Sequence, residues 1–239
     1  MNINGGDDTL PLWGPQQIVQ QEALDGDGVS FIRTRKENLS FNLYFTLINC
    51  NGDDKFTQQK INEIGKFFAK SRPVEMIIEE DSLRCIKVVP TSGITLVRFG
   101  DMKGYFELTL QALSNSWFSP LKILTYDLLA NQTFQINNQS NVQNTNGNYD
   151  ISPHISIKIK SAPNTDFILN NTTTSDKVIF SNVLLNDVIT LKKRHVYSEL
   201  KANIFPDWNR KIFIAHGGMN TYSVNKNCEI TVHLQYPLF

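Results

Sequence analysis

The amino-acid sequence predicts a mainly β protein with two antiparallel β-sandwich domains, the first of which carries one α-helix. Short apolar runs bounded by turn residues recur along most of the 239 residues. Only the stretch at about 57–70 spaces its apolar residues as a helix does. The last strand alternates cleanly, with Ile230, Val232, Leu234 and Tyr236 at one parity. Such alternation is typical of an antiparallel strand with one buried and one solvated face.

The composition indicates a globular protein with no overall charge. Lysine and arginine together number 23, and aspartate and glutamate also number 23, so no global field favours nucleic acid or an acidic membrane. No apolar run approaches the roughly 20 residues that span a bilayer. Residues 1–9 lack the basic and apolar regions of a secretory signal. We therefore expect a soluble protein made in a cytoplasm, without membrane insertion.

Turn-forming residues dominate the first 28 positions, and we interpret residues 1–28 as an N-terminal arm. A strand is predicted within it at 16–20, and a glycine-containing turn at 25–28 ends it. The first domain follows with strand patterns at 29–35 and 39–47. The second of these patterns places an apolar residue at every other position, which is the clearest strand signal in the first half of the chain.

The predicted helix at 57–70 follows a polar loop. Its apolar residues lie three, three and one positions apart, at Ile61, Ile64, Phe67 and Phe68. Thr57 or Asp54 can cap its N-terminus, because a short polar side chain accepts a hydrogen bond from the first helical turn. Pro73 stops the helix, since proline cannot continue its hydrogen-bond ladder.

Four short strands follow the helix, separated by polar and glycine-containing turns. They are predicted at 74–78, 83–89, 94–99 and 105–113. Polar residues and a proline at 114–120 end this series. We therefore predict an N-terminal β domain at 29–119.

The second half continues the β pattern without a helix, which predicts a C-terminal β-sandwich at 120–239. Its strands are expected at 121–129, 133–136, 155–159, 167–170, 177–180, 188–191, 195–197, 212–214, 221–224 and 228–236. The asparagine-rich segment 137–150 is expected to be an exposed loop. Gly217 and Gly218 form a corner, and Asn225-Lys226-Asn227 suits a tight hairpin in which asparagine adopts positive φ. The chain is thus expected to close on a hairpin meander.

No arrangement of residues indicates catalysis or metal binding. Cys50, Cys85 and Cys228 are odd in number and form no C-x-x-C pair, so neither a disulfide framework nor a zinc site is expected. The four histidines lie far apart, and His216 beside its glycines lacks the nucleophile motif of an oxyanion turn. We expect no enzyme activity, no cofactor and no metal ion.

Two basic runs, 33–36 and 192–194, are candidates for surface or subunit contacts. Neither is interleaved with aromatic residues, and a neutral protein has little non-specific affinity for phosphate. Nucleic-acid recognition is therefore disfavoured.

Three stretches together resemble the distal tail protein (Dit) family, the hub proteins of tailed phages that infect Gram-positive hosts. The first is the basic strand 33–43 with the helix around 60–68. The second is the strand 104–110, which runs into the aromatic linker 116–120. The third is the glycine corner and strand at 213–224. Their order and spacing, rather than any single motif, carry the resemblance.

The resemblance implies a structural virion protein of the tail tip or baseplate, made in the host cytoplasm. It implies a galectin-like C-terminal domain and a homo-hexameric ring of N-terminal domains, through whose channel DNA passes in transit. The expected partners are other copies of the chain, the tail tube, a tail-associated hub protein and receptor-binding proteins. Candidate residues of the subunit interface are Trp13, Arg33, Arg35 and Lys36.

Two alternatives stay open at this stage. The chain could be a carbohydrate-binding β-sandwich for host attachment, because Trp208 with Asn209 and Arg210 offers an aromatic ring flanked by an amide and a cation. It could also be another tail structural protein, such as one that forms a tube.

Overall fold

The computed structural model describes residues 16–22, 29–46, 55–69, 72–78, 81–98, 103–144, 147–161 and 165–238. It is mainly β with one α-helix and antiparallel sheets, which confirms the predicted fold class. The chain forms two compact units, of which the second runs from Ser119 to Leu238. Most of the predicted arm at 1–28, and Cys50, lie outside the described residues.

The N-terminal unit contains eight described strands. They are β1 (Gln16–Glu22), β2 (Val29–Lys36), β3 (Ser40–Phe45), β4 (Val74–Ile78), β5 (Asp81–Pro90), β6 (Thr95–Arg98), β7 (Gly104–Ala112) and β8 (Trp117–Phe118). Strands β1 and β2 form a separate two-stranded sheet whose register shifts between Val19 and Gln20. The larger sheet has the order β8-β5-β7-β3, with β4 beside β5 and β6 beside β7.

Strand β7 lies at the centre of the larger sheet and supplies much of this unit's core. Phe106, Leu108, Leu110 and Ala112 are buried at every other position, as the two-residue period of a strand requires. They pack among residues of the neighbouring elements that are also buried: Leu39, Phe41, Phe56, Cys85, Ile86, Val88 and Trp117. Strand β7 therefore has one buried face and one half-buried face.

Helix α1 (Gln58–Phe68) begins one residue after the predicted start. The Thr57 hydroxyl accepts a hydrogen bond from the Lys60 N–H at 3.4 Å, so Thr57 is the N-cap that the sequence allows. The Ala69 N–H donates to the Gly65 carbonyl at 2.8 Å and closes the last turn. No residue of α1 is buried. The apolar face of the helix is therefore only partly covered by its own unit.

The C-terminal unit is a sandwich of two antiparallel sheets. Its strands are β9 (Lys122–Leu128), β10 (Thr133–Asn138), β11 (His154–Ile159), β12 (Thr165–Asn171), β13 (Lys177–Val183), β14 (Val188–Lys192), β15 (His195–Ser198), β16 (Gly218–Val224) and β17 (Cys228–Leu234), and a short strand β18 (Pro237–Leu238) follows that belongs to neither sheet. The four-stranded sheet has the order β10-β16-β12-β13, and the five-stranded sheet has the order β15-β14-β11-β17-β9. Their inner faces form one apolar core.

The last long strand confirms the predicted alternation. Cys228, Ile230, Val232 and Leu234 of β17 are buried, and the residues between them are half-buried. Tyr236 continues the buried parity beyond the end of β17.

The predicted hairpin between the last two long strands is wrong. Strand β16 pairs with β10 and β12, whereas β17 pairs with β11 and β9, so the connection 225–227 passes from one sheet to the other. Neither Asn225 nor Asn227 has positive φ. Instead the Asn225 Oδ1 accepts from the Ile168 N–H at 2.7 Å, and the Asn227 Oδ1 accepts from the Ala130 N–H at 2.8 Å. Side-chain hydrogen bonds to backbone therefore fix this crossing.

Two further expectations for this unit are corrected. The segment 212–214 forms no strand. Phe213 is buried and packs on Tyr222 with ring centroids 4.9 Å apart, and the adjacent Ala215 makes only an isolated bridge to Ile151. The segment 137–150 is not simply an exposed loop. Asn138 is buried, and its Nδ2 donates to the carbonyls of Tyr149 and Ala215.

Candidate assembly surfaces

Aromatic pairs attach helix α1 to its sheet. Phe45 stacks on Phe106 with centroids 5.2 Å apart, and Phe56 meets the edge of Phe106 at 4.8 Å. From the helix, Phe68 lies 5.2 Å from Phe45. Each such pair contributes about 0.5–1.5 kcal/mol beyond the area it buries. The C-terminal end of the helix is thus anchored to the sheet.

Phe67 extends this aromatic cluster outward. Its ring lies 4.9 Å from that of Phe68, yet its side chain is 68% exposed. The sequence identifies Phe67 as an apolar position of the helix but not as a surface residue. A large exposed aromatic next to a half-buried apolar helix face is typical of a protein interface.

The edge of the larger N-terminal sheet is also apolar. Val74 and Ile77 of β4 are exposed, and Leu83 of β5 is 73% exposed. In the part of the chain that the structure describes, β4 pairs only with β5, so its other edge carries backbone groups without a strand partner. Such an edge is a ready template for pairing with another chain.

The predicted interface residues fall in the separate two-stranded sheet or outside the described residues. Arg33, Arg35 and Lys36 belong to β2, where Arg33 pairs with Val19 and Arg35 with Gln17. Trp13 lies outside the described residues. Their place in a subunit interface stays a prediction.

Trp208, the centre of the predicted sugar contact, is only 5% exposed. Its indole Nε1 donates to the Lys211 carbonyl at 3.0 Å, and its backbone bridges to Phe180. A buried ring with a satisfied N–H is a packing anchor and has no free face for a sugar ring.

The two residues after Trp208 also have structural roles. The Asn209 side chain accepts from the Ile179 N–H at 3.2 Å and donates to the Lys177 carbonyl at 2.9 Å. The Arg210 guanidinium lies 5.0 Å from the centroid of the Phe205 ring. The sugar contact at 208–210 stays a prediction, and these contacts give it no support.

His216 cross-links three segments of the C-terminal unit. Its Nδ1 lies 2.9 Å from an Asp150 carboxylate oxygen, and its Nε2 lies 3.5 Å from one of Asp176. Asn220 accepts from the His216 N–H at 3.0 Å and donates to its carbonyl at 2.7 Å. These contacts fix the glycine corner, so the geometry assigns His216 a structural role.

The described residues contain no cluster of three or more side chains that could hold a metal ion. Burial raises the pKa of the Cys228 thiol to about 12, which keeps that thiol protonated and unreactive at neutral pH. Of the helices within the described ranges, none is long and apolar enough to cross a membrane.

Comparison with known proteins agrees with the fold. Residues 117–234 match the sequence model of a family described as a phage tail C-terminal domain. No curated protein matches the chain in sequence. Among solved structures, the chain is similar to the Dit protein (gp 19.1) of phage SPP1, which is described as a paradigm of the hub adsorption apparatus in phages that infect Gram-positive hosts. That match has a TM-score of 0.64 at 9% identity and covers 93% of this chain and 89% of the SPP1 protein.

Weaker likenesses involve the baseplate of phage P2 in its activated conformation. The baseplate structure with calcium matches this chain with a TM-score of 0.43, and the structure with strontium matches it with a TM-score of 0.42. Both matches have 11% identity and cover 98% of this chain and 95% of the matched chain. The SPP1 match supports a common fold, and the family match covers only the C-terminal part of the chain. Residues 117–234 of this chain therefore match a phage tail C-terminal domain, and the fold of the chain is similar to that of the SPP1 Dit protein.

Proposed function

We propose that this chain is the structural hub of a phage tail tip, and that six copies form a ring through their N-terminal domains. The two predicted domains would have different roles. The arm at 1–28 and the domain at 29–119 would hold the ring together around a channel that DNA crosses. The galectin-like domain at 120–239 would face outward and hold baseplate parts such as receptor-binding proteins.

One observation carries this proposal: helix α1 buries none of its residues, although its apolar positions follow helical spacing. An isolated helix of 11 residues is marginal in water, and most helical stability in proteins comes from packing of the apolar face. Phe67 and the half-buried residues beside it would gain that packing from a neighbouring copy. The ring interface would then bury the apolar face of α1 that the single chain leaves partly exposed.

A ring suits the two different surfaces of the N-terminal unit. Helix α1 offers an apolar side-chain surface, while the free edge of β4 offers backbone donors and acceptors. Unlike surfaces that meet between copies make a head-to-tail contact, and such contacts close into a ring when the rotation between copies allows it. Closure would cover the open edge of β4, which protects the assembly from aggregation at that edge.

Negative-stain imaging of the purified, intact protein tests the proposal. We expect ring-shaped particles with six-fold symmetry. Single-chain particles at micromolar concentration would contradict it, and so would filaments or tubes, which would favour the alternative of a tube protein.

The proposed contact of the arm has its own test. Light scattering on protein that lacks residues 1–28 should show smaller particles than those of the intact chain, because the arm with Trp13 would dock on a neighbouring copy. A deleted protein that keeps the full ring mass would eliminate the arm from the interface.

A further inference from the structure

Three of the four histidines of this chain lie on the outer face of the five-stranded sheet of the C-terminal unit. His154 of β11 pairs with His233 of β17, and their rings stack with centroids 4.7 Å apart. On the other side of β11, the register with β14 places Lys192 beside His154. Lys192 in turn pairs with His195 of β15. Folding therefore brings a lysine and three histidines into one row across four strands, which we call the basic row.

The basic row is open to solvent. Lys192 and His195 are exposed, and its other two members are half-buried on the outward parity of their strands. Lys193 and Arg194 form the two-residue turn between β14 and β15 and are also exposed. Lys193 adopts a φ of 54°, which suits a tight hairpin. This hairpin tip, Lys193 with Arg194, adds two cations to one end of the row.

The acidic residues of the same face lie at its opposite end. The charged residues of that end are Asp127, Lys158, Lys160, Glu199 and Glu229. They stand about four residues along the strands from the basic row, which is about 13 Å. Lys160 already forms ion pairs with Asp127 and Glu229, each at 3.0 Å. The face therefore has one basic end and one end that is acidic and largely paired.

The other charged groups near the basic row do not neutralise it. Lys122, at the start of β9, adds another cation. Asp150, which precedes β11 in the chain, contacts the His216 Nδ1 at 2.9 Å. Within the part of the chain that the structure describes, no carboxylate forms an ion pair with the basic row or with the hairpin tip. The positive charge of this surface is therefore uncompensated.

The charges of the row repel one another. Burial lowers the pKa of His154, and the positive charges of His233 and Lys192 lower it further. Like charges that lie opposite each other on adjacent strands destabilise a sheet. An anion above the row would remove this repulsion and would favour the charged form of His154.

A row of hydroxyl groups lies beside the basic row. Its members come from four strands and are Thr125, Ser156, Thr190 and Thr231. The hydroxyl oxygens of Thr125 and Thr231 lie 3.4 Å apart at an exposed position. This pair uses only one of its two hydroxyl hydrogens, so the other can donate to a ligand. Cations with hydroxyl donors beside them are the groups that bind phosphate oxygens.

The surface suits a phosphate polymer better than a protein. The core of a protein interface is apolar and poor in charged residues. The basic row and the hairpin tip consist of charged and titratable side chains instead, and the exposed Ile123 and Tyr197 lie at their margins. Four strands about 4.8 Å apart extend over about 14 Å, which is more than one phosphate group covers. Several phosphate groups along one chain therefore match the row.

We propose that the basic row and the hairpin tip bind the phosphate groups of an anionic polymer, and that binding strengthens as the three histidines gain protons below about pH 6.5. At neutral pH the charges come from Lys192, Lys193 and Arg194, and protonation of the histidines adds three more. The chain as a whole is neutral, so this affinity is local. The surface includes no residue of the N-terminal unit and does not depend on the proposed ring.

Titration calorimetry of the full-length protein with inorganic polyphosphate tests the proposal. The measurements are made at low salt, at about pH 7.5 and about pH 5.5, on either side of the ordinary histidine pKa of about 6.5. We expect the affinity to be about tenfold or more higher at the lower pH, and to fall as salt is added, because phosphate contacts release counterions. Inorganic phosphate, poly-glutamate, and vesicles of phosphatidylcholine with phosphatidylglycerol should each bind more weakly than polyphosphate.

Matched variants locate the site. Lys192→Gln together with Arg194→Gln should lower the affinity for polyphosphate about tenfold or more at both pH values. The control combines Lys177→Gln with Lys211→Gln, which removes the same charge from two exposed lysines outside the five-stranded sheet. This control protein should bind as the unchanged protein does.

A second pair of changes tests the histidines. His154→Gln with His233→Gln should leave the affinity at about pH 7.5 unchanged and should remove most of the gain at about pH 5.5. Circular dichroism checks that each variant is folded. If this protein fails to fold, His195→Gln takes its place, since His195 is exposed, and should reduce the gain.

Four results would overturn the proposal. They are no binding of polyphosphate at about pH 5.5, tighter binding of poly-glutamate or of the vesicles, equal affinity in the Lys192→Gln/Arg194→Gln protein and its control, or a gain at low pH that the histidine variants leave unchanged. Tighter binding of poly-glutamate would assign the surface to an acidic protein, and tighter binding of vesicles would assign it to a membrane.

Discussion

The two units of this chain complete their cores to different degrees. In the C-terminal unit, two sheets face each other, and residues such as Ile155, Ile157 and Ile230 are fully buried between them. In the N-terminal unit, helix α1 buries none of its residues, and Phe67 and Leu83 are largely exposed. The difference teaches that the second unit closes its core within the described residues, whereas the first leaves apolar side chains exposed, which the proposed ring would cover.

The largest expected effect is a difference in folding between two fragments that each contain one unit. A fragment of residues 119–239 should fold alone, because its core lies within the unit. A fragment of residues 1–118 should form oligomers rather than a well-ordered monomer, because it keeps the surfaces of the proposed ring. Circular dichroism and amide NMR spectra of both fragments measure this. An unfolded C-terminal fragment, or a monomeric and well-ordered N-terminal one, would break the comparison.

Core truncation should destabilise the C-terminal unit strongly. Ile157→Ala removes a fully buried side chain between Ile189 and Ile230, and should lower the free energy of unfolding by about 2–5 kcal/mol. The matched change in the other unit, Phe67→Ala, should cost less than about 1 kcal/mol in the single chain, because its side chain is 68% exposed. Urea unfolding of both variants makes the comparison. Equal losses would show that Phe67 is a core residue.

The next largest loss of stability is expected when a buried polar contact is removed. The side chain of Asn220 is buried and donates to the carbonyls of His216 and Gly218 at 2.7 Å and 3.0 Å. Asn220→Ala should cost about 1–3 kcal/mol, since it removes the side chain that donates these two part-buried hydrogen bonds and accepts a third from the His216 N–H. Met219→Ala, next to it and exposed, is the control and should change little. If the Asn220→Ala protein is as stable as the unchanged protein, the hydrogen bonds of Asn220 at the glycine corner do not stabilise this unit.

The smallest effect is a pH dependence that belongs to the C-terminal unit, which holds all four histidines. Burial lowers the pKa of His154, and the positive charges of His233 and Lys192 lower it further. His154 and His233 stack with ring centroids 4.7 Å apart. Because the unfolded chain binds this proton more readily, stability should fall as pH drops through the ordinary histidine pKa of about 6.5, and level off below the lowered pKa.

Thermal unfolding between pH 5 and 8 measures this effect, with His154→Gln as the variant. The stability of the His154→Gln protein should fall less at low pH than that of the unchanged protein. The stability of the His195→Gln protein should fall as much as that of the unchanged protein, because the His195 side chain is exposed. A decline that is unchanged in His154→Gln would assign the effect to other groups.

Local signals account for what could be predicted from the sequence. The Thr57 cap fixes the start of α1, and the parity of Ile230 and Val232 fixes the buried face of β17. Strand partners are not local, so the end of the chain was predicted wrongly. Val224 and Cys228 are both buried, and that pattern is the same for a hairpin as for a crossing between two sheets.

The candidate sites were harder to predict for the same reason. Phe67 has the spacing of a core residue, and only the folded unit shows that its ring is exposed.

The most direct test of the central claim is the mass of the intact protein by light scattering, compared with that of two variants. The account predicts six times 27.2 kDa for the unchanged protein and a much smaller mass for Phe67→Asp, which places a charge on the apolar helix surface. Leu129→Asp is the matched control, because Leu129 is 61% exposed on the C-terminal unit, and this variant should keep the full mass. A single-chain mass for the unchanged protein, or a full-mass assembly for Phe67→Asp, would contradict the claim that the N-terminal unit completes its packing in a ring.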